Sequence, residues 1–486
     1  MEKGKAVEKG QIVRLTIEDM SMEGRGIGKA DGFAVFVAGT IVGDVIEAEI
    51  TKVKKNYGFA RVVKILEESP ARQEAFCSHY GQCGGCVYQE MTYDCQLQLK
   101  RKQVADKLMR IGGIDEPEVK ETVGMAYPFH YRNKASMAVS TGGLITKKGG
   151  IVQPVHEPRV GFYQAKSHDV VDCSVCPLQA EPAMAAAEAL RKFMKDDNIT
   201  SYDERWDKGL MKHMIVRSAL GTGQVMVILV INGKGIPNAE KLVQMLDDAI
   251  FEIPVYEDGP MAGIEFSLES VVVNINKGKT TKILGDECIT IAGAPVIKEQ
   301  IGDLDFEISP LSFYQVNPVQ MVQLYDKVLE YAALKGDETV LDLYCGVGSI
   351  GLFCADDMRK KGGNGKVIGI ETVKQAVVDA NRNAVINGIV NAIYVCGRAE
   401  EELPKMEVSA DVAILDPPRA GCAPELLNAV AKAAPKKIVY VSCDPATMAR
   451  DIKELGALGY EFIEATPVDM FPWTGGIETA ALLLKR

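Results

Sequence analysis

No apolar run in this chain approaches the ~20 residues that a helix needs to cross a bilayer. Stretches such as Val225–Ile231 are among the longest. The opening MEKGKAVEKGQ lacks the apolar core of a secretory signal, so a cytoplasmic, membrane-free protein is expected. Internal repeats and low-complexity segments are also missing. A positive surplus is missing as well: 55 Lys+Arg stand against 66 Asp+Glu, a net charge of −11. Taken as a sum this argues against a nucleic-acid partner, but binding follows the local distribution of charge. Residues 1–66 hold 11 Lys+Arg against 9 Asp+Glu, a surplus of +2, and the remaining 420 residues carry −13. The N-terminal segment is therefore compatible with RNA without demanding it.

What is present is a soluble-protein composition, 47% apolar and 25% charged, over 486 residues, which implies two or three domains. Residues 10–66 read as short strands (QIVRLTI, AVFV, DVIEAEI, YGFARVVKIL) broken by glycines, the pattern of a small OB-like β-barrel. Such barrels bind oligonucleotides or serve as spacers. QLQLKRKQVADKLMRIGG, from Gln96, has helical periodicity and a Gly-Gly stop. Mixed strands and helices follow from about 128 to 310, including a helix over 181–195 and an apolar strand over 224–232. From about 336, TVLDLY, VIGIE, AIYVC, DVAILD and KIVYVSC alternate with helical stretches at 349–361, 373–387, 423–433 and 445–457. This predicts a Rossmann-like parallel sheet with its ligand at the carboxyl ends of the strands.

Four segments point to chemistry there. TVLDLYCGVGSIG places Gly346, Gly348 and Gly351 after the first strand, a tight turn that admits a ligand to the backbone. Glu371, ending the next strand, suits two ribose hydroxyls. NAD is the competing ligand, but Asp342 would sit badly beside a pyrophosphate and suits the cationic methionine moiety of S-adenosylmethionine. DPPRAG puts Asp416 at the same edge, or is a plain Pro-Pro turn. VSCDPATMARD sets Cys443 at a strand tip before a helix, where a helix N-terminus lowers a thiol pKa. Glu478 in FPWTGGIETA enters the last strand, or is an ordinary solvated acid. Twelve cysteines in a chain without a secretion signal favour metal binding, catalysis or buried thiols over disulfides. Cys77, Cys83 and Cys86, with a distant fourth at Cys173 or Cys176, form a pattern that holds a [4Fe–4S] cluster; zinc or unliganded thiols are the alternatives.

Taken together these motifs resemble the RNA m5U methyltransferase family, specifically its bacterial 23S rRNA (uracil-5-)-methyltransferases, over nearly the whole chain. Residues 8–66 resemble its TRAM barrel, FCSHYGQCGGC its iron–sulfur segment, and YRNK at 131–134 its RNA-contacting motif. SFYQVN, DLYCGVGSIG, DPPRAG, VSCDPATMARD and FPWTGGIE follow in the family's order. The resemblance implies a multidomain α/β protein: a TRAM barrel at 1–66, a central mixed α/β cluster-bearing domain at 67–95 and 128–310, and a methyltransferase domain at 96–127 and 311–486. It implies that Gln315, Tyr344, Glu371 and Asp416 bind S-adenosylmethionine, that Cys443 is the nucleophile, and that Glu478 is the general base. It implies Cys77, Cys83, Cys86 and Cys176 as cluster ligands, because a proline and an apolar residue follow Cys176. A 23S rRNA uridine is the implied substrate, with tRNA as the runner-up and no obligate protein partner. A nucleotide-cofactor oxidoreductase and a non-catalytic RNA-binding protein are the readings from other classes. One departure stands out: Gly476 occupies the position where the family has a histidine.

Overall fold

The computed structural model describes residues 7–141, 146–147, 150–151, 157–204 and 207–486. The alternation in β1 (Ile12–Met20) buries Val13, Leu15 and Ile17 and leaves Ile12, Arg14 and Thr16 outside, the period-2 signature of a strand with one dry face. With β2 (Arg25–Ala30), β3 (Phe33–Ala38), β4 (Val45–Val53) and β5 (Tyr57–Glu67) it closes a barrel in the order β1-β2-β3-β5-β4. Closure removes the free edges that so short a sheet would otherwise expose.

After the cysteine-rich segment comes α1 (Tyr93–Lys107). Its Val104, with Leu108 just beyond it, lies in one core with Met448, Ala449 and Ile452 near the C-terminus. The central sheet is formed by β6 (Lys134–Thr141), β9 (Pro158–Tyr163), β10 (Val170–Asp172), β11 (Met211–Ser218), β12 (Gln224–Ile231), β13 (Ser267–Ile275) and β14 (Glu287–Gly293), in the order β10-β9-β6-β11-β12-β13-β14. A two-residue pair, β7 (Thr146–Lys147) and β8 (Gly150–Ile151), stands apart from it. Helices α2 (Glu181–Asp196) and α3 (Ala239–Phe251) share a core with one face of the central sheet. The unbroken apolar run in β12 has a simple cause, since both of its faces are covered. Val225, Val227, Leu229 and Ile231 join the core of α2 and α3, while Met226, Ile228 and Val230 join a second core. That second core holds the hairpin β15 (Ile297–Ile301) and β16 (Leu304–Ile308), and helix α4 (Pro318–Ala332).

The C-terminal sheet comprises β17 (Thr339–Leu343), β18 (Lys366–Glu371), β19 (Ala392–Cys396), β20 (Val412–Leu415), β21 (Lys437–Ser442), β22 (Tyr460–Val468) and β23 (Glu478–Lys485). Their order is β19-β18-β17-β20-β21-β23-β22. The first five are parallel, and β23 runs antiparallel to both of its neighbours. Helices α5 (Ser349–Lys360), α6 (Lys374–Ile386), α7 (Ala399–Glu402) and α8 (Pro424–Ala433) connect these five strands, and α9 (Pro445–Ala457) leads from β21 to β22. The order reverses between β17 and β20, which opens a crevice at their carboxyl ends. Among the described residues, no helix is long and apolar enough to cross a membrane.

Candidate active site

The crevice is shaped by a backbone that leaves β17 sharply. Tyr344 has φ +65°, followed by Gly346 at +54° and Gly348 at +78°. A Cβ on Gly348 would lie 2.6 Å from the Tyr394 ring, and one on Gly351 would lie 2.7 Å from Asp342 Oδ2. Only glycine permits both the turn and this approach. The Gly351 amide donates to Asp342 Oδ2 at 2.9 Å, and the Gly346 amide to Glu371 Oε2 at 3.1 Å. The two acids therefore brace the loop that opens α5.

A cavity of about 570 Å³ lies above it. Gln315, Tyr344, Asp416, Cys443 and Glu478, one from each of five separate motifs, all line it, together with Glu371 at the end of β18. So do four carboxylates, Asp342, Glu371, Asp416 and Glu478, against one cation, Arg419. Asp342 is fully buried and its Oδ1 has no hydrogen-bond partner among the described residues. Burial and the neighbouring Asp416 push its carboxyl up to about 7. Burial likewise pushes Asp416 to about 7, and holds Glu478 well above the usual carboxylate range with Asp416 adding to the effect. An orphaned buried carboxylate oxygen in a predominantly anionic cavity fits a cationic ligand, and S-adenosylmethionine carries both a sulfonium and an ammonium group.

Sheet register explains how Cys443 and Glu478 meet. Ser442 pairs with Thr479 across the antiparallel β21/β23 ladder, so the next positions, Cys443 and Glu478, face each other at its end. The expectation of a thiol favoured by a helix N-terminus is corrected here. The Asp444 carboxylate caps α9 itself, accepting from the amides of Ala446 at 2.8 Å and Thr447 at 3.3 Å. Those donors are spent, and burial, then the charge of Glu478, pushes the Cys443 thiol up to about 11. The positive charge of Arg419 opposes this. The sequence reading passed over Arg419, although it stands in the quoted DPPRAG. It also passed over Ser349, which follows the glycine turn, over Phe471, which opens the quoted FPWTGGIE, and over Tyr325, which no motif flagged. Tyr325 Oη lies 2.7 Å from Ser349 Oγ at the cavity wall.

A second cavity, about 440 Å³, is lined by Cys77, Cys83, Cys86, Cys173 and Cys176. All twelve cysteines are free of disulfides. Among the described residues no three His, Cys, Asp or Glu side chains are arranged as a ready metal site. The two candidates for a fourth ligand differ in their bonding. Cys173 is almost fully buried and donates its thiol to the Val171 carbonyl at 3.3 Å. Burial pushes the Cys176 thiol up, and the Gln179 amide donates to the Cys176 carbonyl at 3.2 Å. YRNK is divided between structural and cavity roles. Tyr131 and Asn133 are buried, with Tyr131 Oη donating to the Pro472 carbonyl at 2.9 Å and Asn133 Nδ2 to that of Gln315 at 3.0 Å. Arg132 and Lys134 line the cysteine cavity.

Comparison with known proteins agrees with this architecture. Residues 6–63 match a TRAM domain, and residues 275–486 match the tRNA (uracil-5-)-methyltransferase family. An RNA methyltransferase of Halalkalibacterium halodurans is 40% identical, covering 98% of each chain. Another, from Clostridium tetani, is 40% identical over 99% of this chain and 98% of its own. The crystal structure of the Pyrococcus abyssi tRNA (uracil-54, C5)-methyltransferase, in complex with S-adenosyl-L-homocysteine, superposes with a TM-score of 0.72 at 29% identity, covering 97% of this chain and 100% of that one. A barrel at one end, an acid-lined crevice at the other and near full-length similarity lead to one conclusion: the chain belongs to the TRAM-containing family of S-adenosylmethionine-dependent RNA (uracil-5-)-methyltransferases.

Proposed function

We propose that this enzyme methylates C5 of a uridine in 23S rRNA through a covalent bond between Cys443 and C6. The observation that carries the mechanism is that Cys443 and Glu478 both line the acid-lined cavity, one position beyond the Ser442–Thr479 pair that ends the β21/β23 ladder. Uracil C5 is a poor nucleophile until a thiolate adds at C6. Cys443 gives up its thiol proton to solvent, its thiolate favoured by the charge of Arg419, and Sγ bonds to C6 and pushes electron density to C5. S-adenosylmethionine supplies the methyl group from its sulfonium, with Gln315, Tyr344, Glu371 and Asp416 holding it. Glu478 then takes the C5 proton, and the C6–S bond breaks to regenerate the thiolate and the aromatic ring. A uridine paired in a duplex cannot reach such a pocket, so the target is flipped out of its stack, most readily from a single-stranded loop. Glu478→Gln should accumulate a protein–RNA adduct that survives denaturing electrophoresis and carries the transferred methyl label. Cys443→Ala, alone or in the Glu478→Gln background, should form none. An adduct persisting in the double variant would assign the nucleophile elsewhere.

The rRNA assignment rests on the resemblance of the motifs and their order to bacterial 23S rRNA enzymes. tRNA is the second reading, and the near full-length similarity to the P. abyssi tRNA enzyme favours it. Mapping the methyluridines missing from rRNA and tRNA of a deletion strain separates the two. In the same proposal Cys77, Cys83, Cys86 and Cys176 hold a [4Fe–4S] cluster. Support comes from the convergence of the four on one cavity. When bound, such a cluster cross-links segment 77–86 to the segment around 176.

A further inference from the structure

The loop between β22 and β23 carries Phe471 and Trp473 and leads into Glu478, the first residue of β23, and much of what holds it lies outside the methyltransferase sheet. Lys100 of α1 reaches Asp469 at 2.6 Å and the Phe471 carbonyl at 3.1 Å. Gln96 Oε1 accepts from the Trp473 amide at 3.1 Å. The Trp473 carbonyl accepts from the amides of Val87 and Tyr88 at 3.0 and 3.2 Å, and its indole donates to the Pro128 carbonyl at 2.8 Å. Trp473 is held at φ +66°, a conformation that a bulky residue rarely adopts unaided.

The barrel completes this clamp through the turn between β1 and β2, Ser21–Gly24. Gly475 is packed so closely on Met22 that a Cβ would lie 1.9 Å from the Met22 carbonyl oxygen. The turn is itself fixed from three sides. Tyr88 Oη donates to the Ser21 carbonyl at 2.9 Å, and Gln103 Nε2 to that of Met20 at 3.0 Å. Lys102 pairs with Asp19 at 2.6 Å. A Cβ on Gly24 would meet Val87 Cβ at 2.7 Å. Backbone thus presses on backbone three residues before Glu478, with no flexible side chain between to absorb movement. On the far side of Gly475, Gly476 leaves room for the Phe471 ring, which a Cβ would approach to 2.9 Å. The glycine that replaces the family's histidine is thereby filled from within the loop.

We propose that the barrel's Ser21–Gly24 turn is a positioning element for Glu478, so that the barrel serves the proton-removal half of the reaction as well as RNA binding. This rests on the reading of Glu478 as the base. Gly475→Ala should force turn and loop apart and cost turnover on the order of 100-fold. The stall should come after methyl transfer, so methyl-labelled protein–RNA adduct accumulates while S-adenosylmethionine affinity is unchanged. In a Trp206→Phe background Trp473 is the sole tryptophan, and its emission should shift in Gly475→Ala. Tyr88→Phe, which releases the turn without touching the loop, should show the same signs more weakly. Wild-type turnover in Gly475→Ala, or lost turnover with neither adduct nor emission shift, overturns the proposal. If Glu478→Gln run alongside forms no adduct, the base assignment is what fails. Slowed turnover with shifted Trp473 emission then still establishes that the turn positions the loop.

Discussion

Acidity should weaken S-adenosylmethionine binding in a pH window far above that of ordinary aspartates. Asp342 and Asp416 are each pushed up to about 7, by burial in both and by Asp416's charge in the case of Asp342. A bound cation favours the charged form of a carboxyl, so binding expels whatever protons these groups hold. Affinity is therefore complete well above pH 7 and is lost as pH falls through it. At pH 6 a group titrating near 7 is ionised in about one molecule in ten, and two such groups together in about one in a hundred. Between pH 8 and 6 the affinity should drop roughly tenfold if one ionised aspartate is required and on the order of 100-fold if both are. Titration calorimetry in phosphate and in Tris measures both the affinity and the protons released. Release should lie between one and two protons at pH 6 and approach zero at pH 8. Asp342→Asn should weaken binding at pH 8 and flatten the slope below it. An affinity constant from pH 6 to 8 with no proton release would refute the reasoning.

Three further outcomes are expected. Alkylation of Cys443 in the ligand-free enzyme, read by peptide mass spectrometry, should be slow at pH 8, where about one thiol in a thousand is ionised, and should rise about tenfold per pH unit towards pH 10. It should be faster at every pH in Glu478→Gln, and a rate already maximal at pH 7 contradicts this. Lys100→Met leaves the buried Asp469 carboxylate unpaired and should cost about 3–5 kcal/mol in urea unfolding, most of it recovered by adding Asp469→Leu; no recovery would show that the two are not coupled. Protein purified without oxygen should contain iron, which Cys176→Ala loses and Cys173→Ala keeps, and stoichiometric zinc in its place would exclude the cluster.

Local pattern carried much of this architecture. The apolar run at 224–232 read as a strand, and the five Val- and Ile-rich runs after 336 read as a parallel sheet. The two strands completing that sheet were harder to read, since only TAALLL hinted at the last. The glycine turn and the acids at the strand tips located the crevice, because each sits beside its own strand in the chain. The state of Cys443 did not follow: Asp444 marked the helix start correctly, yet that same carboxylate takes the amides assumed to favour a thiolate. Phe471 opens the quoted FPWTGGIE, yet nothing local marks it as a cavity residue, and Tyr325 reaches the cavity only through the packing of α4, which carries no chemical motif. Nothing local to Gly475 announces that the barrel lies against it. Contacts between backbones far apart in sequence leave only a glycine as their trace.

The buried pair between Lys100 and Asp469 joins residues 369 positions apart. At roughly 5–20 residues per second, a ribosome needs on the order of 20–70 s to travel from one to the other. For that time α1 and the cysteine-rich segment before it have left the exit tunnel without the surfaces that bury them. A nascent chain of this enzyme thus carries an uncovered helix and a set of unprotected thiols until its last residues are made, and its dependence on chaperones should be concentrated in that interval.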